Sequence, residues 1–116
     1  MSIQRFDTGP RMSQAVVHGD TVYLAGVVAN KAAGESVTRQ TQEILSIIDA
    51  HLAKAGTNKS KLLTTTIYIT DVKTFAEMNA AWDAWVSPGN TPCRTTVQAT
   101  LAAPKYAVEI GIIAAI

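Results

Sequence analysis

Apolar and polar positions alternate in short bursts at both ends of the chain and recur at steps of three and four in its middle. Ala15 to His18 and Thr21 to Ala29 are rich in β-branched and apolar residues, with His18-Gly19-Asp20 as turn chemistry between them. That pattern predicts a hairpin. Asn30 to Glu35, with Gly34, reads as a loop. From Ser36 the period changes, and Val37, Thr41, Ile44, Leu45, Ile48 and Leu52 mark one face of a helix. Gly56, after Lys54-Ala55, supplies a left-handed stop. Leu62 to Thr70 returns to alternation, with Leu63, Ile67 and Ile69 on one face and Thr64, Thr66 and Tyr68 on the other. This is the pattern of a central or half-buried strand.

A second helix follows. Asp71 offers a side-chain oxygen to its free amides, Thr74 and Glu77 have capping-box spacing, and Phe75, Met78, Trp82, Trp85 and Val86 form its apolar face. Ser87-Pro88-Gly89 ends it. Thr95 to Leu101 and Ala107 to Ala115 are the last strands, and Ile3 to Asp7 reads as one more short strand at the start. Hairpins at both ends with helices between them predict an α+β fold, a mixed sheet of about six strands with both helices packed on one face. The 116 residues contain no long linker or internal repeat, so the expectation is a single domain over 1–116.

Composition sharpens this picture. Hydrophobic residues make up 47% of the chain and charged residues 16%, a balance that hints at apolar surface covered by another subunit. A net charge of +1 without a basic run lacks the electrostatic footprint for nucleic acid. The single cysteine, Cys93, excludes an intramolecular disulfide and a cysteine-built zinc site, and fits a reducing compartment. No apolar signal core follows Met1, and no stretch approaches the roughly 20 residues that span a bilayer. The expected location is the cytoplasm, with no membrane partner.

Two residues could carry chemistry. Arg94 follows Pro92-Cys93 at the mouth of a strand, where a guanidinium can hold a carboxylate by two parallel hydrogen bonds. Taken alone, the commoner explanation is a strand-end arginine in a salt bridge. Glu109 lies within Ala107-Val108-Glu109-Ile110-Gly111-Ile112-Ile113, where a carboxylate must be paired or hydrogen-bonded, or its pKa rises. It suits a group that holds or deprotonates water, and equally an edge-strand charge that deters aggregation. Alternation puts Arg94 and Thr96 on one face and Cys93 and Thr95 on the other, so Cys93 reads as a buried, inert thiol. His18 and His51 have no metal-site company, phosphate loops are absent, and Trp82 and Trp85 read as core. Met12 and Asn79 carry no signal by residue type.

Several segments together resemble the RidA/YjgF family. They are Ser13-Gln14-Ala15-Val16-Val17 and Tyr23-Leu24-Ala25-Gly26, Thr64 to Val72, Phe75-Ala76-Glu77-Met78-Asn79, Pro92 to Val97, and Val108-Glu109-Ile110. Met78 to Val86 and Pro104-Lys105-Tyr106 are most similar to its short YoaB-like branch. The resemblance implies a chorismate-mutase-like fold and a homotrimer with three clefts between adjacent subunits. It also implies hydrolysis of reactive 2-imino acids, or their enamine precursors, to 2-oxo acids and ammonia. Arg94 would grip the substrate carboxylate and Glu109 would position the attacking water. An imine carbon is already electrophilic, so the chemistry needs no metal or cofactor.

The remaining wall positions implied by the resemblance are Met12, Ala25, Gly26, Asn79 and Thr96. Gly26 and Asn79 match the family pattern. Met12 stands where the archetypal deaminase has a tyrosine, Ala25 where it has a serine, and Thr96 where it has a cysteine. The wall is therefore less polar at positions 12 and 25. A non-catalytic trimer that binds small carboxylates is the alternative, and it shares Arg94 while leaving Glu109 idle. An endoribonuclease label attached to the family finds no support in the near-neutral charge.

Overall fold

The computed structural model describes all 116 residues. Six alternating stretches form strands, namely β1 (Ile3–Phe6), β2 (Ala15–His18), β3 (Thr21–Leu24), β4 (Leu62–Ile69), β5 (Cys93–Gln98) and β6 (Val108–Ala115). Two stretches of helical period form α1 (Val37–Lys54) and α2 (Phe75–Trp85). The strands make one sheet in the order β1-β2-β3-β6-β4-β5. Every pairing is antiparallel except β4 with β5, whose parallel run requires the crossover that α2 provides. This is the α+β architecture that the periodicity predicts.

Both helices cover one face of the sheet. Ile44, Leu45, Ile48 and Leu52 of α1 and Met78 and Trp82 of α2 are buried in one core with Ile67 and Ile69 of β4 and Val108, Ile110, Ile112 and Ala114 of β6. The opposite face carries no helix. Ser36 caps α1 by accepting from the Arg39 amide. Gly56, at φ 87°, ends it in the left-handed conformation, and the next amide, that of Thr57, returns to the Leu52 carbonyl at 2.9 Å. No helix is long and apolar enough to cross a membrane.

Four local expectations are corrected. The strand expected to run to Ala29 stops at Leu24, and the chain steps out at Ala25-Gly26 before Val27 exchanges two hydrogen bonds with Ile110. A register shift between Leu62 and Thr64 turns Leu62 inward and leaves Leu63 half exposed, so Leu63 does not share the face of Ile67 and Ile69. Thr74 caps nothing with its side chain. Asp71 instead accepts from Lys73 at the start of a 3-10 turn (Val72–Thr74), and the Thr74 hydroxyl donates to the Asp71 carbonyl. The strand expected over Thr95 to Leu101 is Cys93–Gln98, and the Ala99 amide then donates to the Ile69 carbonyl.

Two polar side chains hold the loops to α1. Gln40, fully buried among apolar neighbours, donates to the carbonyls of Glu35 and Lys105 and accepts from the Ala107 amide. Glu43 accepts from the amides of Asn30, Lys31 and Ala32, the last at 2.6 Å. Desolvation pushes the Glu43 pKa up, but the three backbone N–H groups and the Lys31 charge more than reverse it, leaving it below the ordinary value of 4.5.

Replacing Gln40 with Leu strands two carbonyls and an amide, and should cost on the order of 2–4 kcal/mol in a denaturant unfolding titration. Because the Glu43 pKa is depressed in the folded state, its contribution is fully present above the unfolded value and is lost as pH falls through the folded one. Glu43→Gln should therefore melt below wild type at neutral pH, with the gap closing as thermal scans move into acid.

Candidate functional site

Arg94 stands on β5, the strand at one edge of the sheet. In the parallel pairing it lies opposite Thr65, and Thr96 lies opposite Ile67. Thr65 and Ile67 are buried beneath the helices, so Arg94 and Thr96 point to that same face. The guanidinium carbon sits 5.6 Å from the centre of the Trp82 ring and 5.8 Å from that of Phe75. Two aromatic faces thus support the cation without neutralising it. Phe75, expected in the core, is 40% exposed because its ring stands at the rim beside this guanidinium.

No carboxylate pairs with Arg94, since the chain's two ion pairs join Arg39 to Glu35 and Lys54 to Asp7. The strand-end salt bridge is thereby set aside. Asn79 lies between Phe75 and Trp82 on the same face of α2, and its side-chain oxygen is buried without a hydrogen bond. The hydroxyls of Thr96 and Thr65 are in the same condition. A half-buried guanidinium with no carboxylate partner in its own chain keeps its planar N–H fork free, the geometry that can hold an anion by two parallel hydrogen bonds.

Glu109 occupies the other face. β6 runs between β3 and β4, so Glu109 is no edge-strand charge. Its strand alternates strictly, with Val108, Ile110, Ile112 and Ala114 beneath the helices and Glu109 and Gly111 turned to the open side. There it lines a groove of about 250 Å³ with Leu24, Gly26, Thr64, Thr66 and Tyr68, and Tyr68 is its direct cross-strand neighbour. It makes no ion pair.

The step at Ala25-Gly26 explains how a carboxylate comes so close to backbone. A Cβ at position 26 would fall on the Glu109 carboxylate, so only glycine leaves room. The Ala25 amide donates to the Gln14 carbonyl at 2.9 Å, which brings the segment carrying Met12 alongside. Met12 itself is about half exposed.

Seven candidate residues therefore fall into two groups. Arg94, Thr96 and Asn79 stand on the helix-covered side at the sheet edge, while Glu109 and Gly26 line the groove on the open face, with Ala25 next to Gly26 in the chain and Met12 two residues from Gln14, which accepts from the Ala25 amide. One chain does not bring the arginine and the glutamate together. Cys93, expected as a buried thiol, is exposed, because its edge strand turns it to the face that no helix covers. No cluster of three His, Cys, Asp or Glu side chains is arranged to hold a metal ion.

Residue-level reading of the sequence overlooked Thr65 and treated Phe75 as core; Trp82 is core, as that reading has it, and also flanks Arg94. Their place around Arg94 depends on the parallel register of β4 and β5, which leaves no local mark. For Gly26→Ala we expect a melting temperature near that of wild type, with the Glu109 side chain swung out of its groove. A crystal structure of the variant checks both parts.

Comparison with known proteins fits this geometry. The model of the family described as Endoribonuclease L-PSP matches residues 2–116. The RutC family protein YoaB of Escherichia coli is 49% identical over 116 residues, all of both chains. The chloroplastic Reactive Intermediate Deaminase A of Arabidopsis thaliana is 30% identical over 107 residues, covering 88% of this chain and 57% of that protein. Among solved structures, NMB1025 of Neisseria meningitidis, described as a YjgF family member, superposes with a TM-score of 0.95 at 43% identity, over 99% of this chain and 95% of that one. With a matching sheet, matching helices and matching sequence over its length, the chain belongs to the RidA/YjgF family, the family that the Endoribonuclease L-PSP model describes.

Proposed function

We propose that this protein hydrolyses reactive 2-imino acids, formed from enamines such as 2-aminoacrylate by tautomerisation, to 2-oxo acids and ammonia, at sites shared between subunits of a homotrimer. One observation carries the reading. Arg94 is an unpaired guanidinium held on two aromatic rings, a ready anchor for a small carboxylate. The name of the Arabidopsis relative, a reactive intermediate deaminase, agrees with it.

Because Arg94 and Glu109 lie on opposite faces of one sheet, a shared site needs Arg94 of one subunit and Glu109 of the partner subunit. The helix-free face supplies the means. Tyr23 is exposed on it between Val16 and Ile113, Val97 is exposed on it opposite Tyr68 at the sheet edge, and a second copy would cover them.

The chemistry follows. Arg94 holds the substrate carboxylate through two parallel hydrogen bonds, fixing the imine carbon against the opposite subunit. Glu109 there takes a proton from water as the oxygen bonds to that carbon, and the C=N electron pair moves to nitrogen, which receives that proton from the Glu109 carboxyl. The tetrahedral aminoalcohol then collapses. Glu109 passes the hydroxyl proton to the amine nitrogen, the C–N bond breaks as the C=O bond forms, and ammonia leaves with the carboxylate ionised again. The balance is 2-imino acid plus water giving 2-oxo acid plus ammonia, with no cofactor. The lone Cys93 and the balanced charge agree with a cytoplasmic setting and a metabolite rather than a nucleic acid.

The test generates 2-aminoacrylate with a serine dehydratase and follows pyruvate release. Wild type should accelerate it, Arg94→Ala should abolish the effect, and Glu109→Gln should reduce it by about 10²–10⁴. An unchanged rate in Arg94→Ala would overturn the mechanism. A folded trimer that binds pyruvate yet never accelerates release would make the protein a carboxylate-binding module instead. Mixing Arg94→Ala subunits with Glu109→Gln subunits should restore activity, since a mixed trimer rebuilds sites with both residues intact. Failure to restore it, with subunit exchange verified, rules out a shared site.

A further inference from the structure

Three side-chain oxygens on the elements that flank Arg94, those of Thr65, Asn79 and Thr96, are buried without a hydrogen bond. All three stand on the helix-covered side of the sheet. Thr65 is the register partner of Arg94, Thr96 lies two residues along the same strand face, and Asn79 sits between the two residues whose rings flank the guanidinium. All three are buried by this chain alone, and Thr65 is 1% exposed. A partner subunit or bulk solvent cannot reach them unless a side chain moves. Leaving such groups unpaired costs free energy, and three in one place mark a functional arrangement.

The side chain able to answer them is Arg94. A guanidinium has five N–H donors in a rigid fork, and a bidentate carboxylate takes two. Three remain, for three waiting oxygens. We propose that Thr65, Asn79 and Thr96 form an acceptor set that takes the inner N–H groups of Arg94 when a carboxylate takes the outer two, and that Thr65 is thereby a positioning residue for substrate binding. This rests on the carboxylate-anchor reading of Arg94. The guanidinium lies over Phe75 and Trp82. A bound carboxylate draws it off the rings and onto the oxygens, so part of the affinity for a carboxylate comes from satisfying acceptors of the protein itself. A ligand offering only a single acceptor oxygen would not hold the fork in the same orientation.

Thr65→Val tests this, because it keeps the shape and removes only the hydroxyl. Stability and affinity should move in opposite directions. The variant removes an unpaired buried hydroxyl, so its melting temperature should equal or exceed that of wild type. Its dissociation constant for pyruvate, measured by calorimetric titration, should rise roughly tenfold. Thr65→Ser, which keeps the hydroxyl, should bind pyruvate nearly as wild type does. A Thr65→Val protein that binds as tightly as wild type overturns the acceptor set and leaves the anchor standing. A fall in both stability and affinity, with the same fall in Thr65→Ser, marks Thr65 as structural packing and also overturns it. Absence of pyruvate binding by folded wild type overturns the anchor itself, and this inference with it.

Discussion

The placement of β6 between β3 and β4 governs the rest of this molecule. Its alternate residues, Val108, Ile110, Ile112 and Ala114, are buried almost completely beneath the helices and supply the centre of the core. Helices cover only that face, so the residues between them turn to the open side, and Glu109 must be among them. Moving the register by one residue would bury the carboxylate and expose the isoleucines, a large penalty that locks the pairing. The hydrophobic effect thus aims Glu109 with no bond made to the carboxylate itself.

The same rule acts at the sheet edge with the opposite result. β5 pairs with β4 so that Arg94 follows Thr65 and Ile67 to the helix-covered side. Being on the last strand, it is only half buried, and its cation reaches the rim of α2 at Phe75 and Trp82. In the proposed function, the thickness of a sheet separates the base from the anion anchor within one chain, which is why that proposal joins opposite faces of neighbouring copies. Apolar residues left on the helix-free face and a glycine kept beside Glu109 agree with that arrangement.

Gly26 and Gln40 show two ways in which local exceptions serve the site. At Gly26 the chain leaves its strand, gives up ladder hydrogen bonds and lets a carboxylate approach the backbone. At Gln40 a polar group is placed in the core, where it ties the end of one loop and the entry of β6 to α1. The buried oxygens of Thr65, Asn79 and Thr96 differ from both, because they stand without a hydrogen bond within the chain.

Much of this was legible in the sequence. Periodicity located both helices, and alternation placed Arg94 with Thr96 and away from Cys93, because side-chain direction in a strand is a local property of the backbone. The apolar run around Glu109 marked an interior strand for the same reason. Resemblance to a family drew attention to Asn79 and Gly26, which residue type alone did not single out. Strand partners, the bulge at Leu63, the exposure of Cys93 and the rings beneath Arg94 were decided by tertiary structure. They depend on which strands meet and in what register, and these are contacts between segments far apart in the chain. The sequence by itself determined which face of its own strand each residue takes. Only the assembled sheet decided what lies across from it, and so that Arg94 and Glu109 stand on opposite sides.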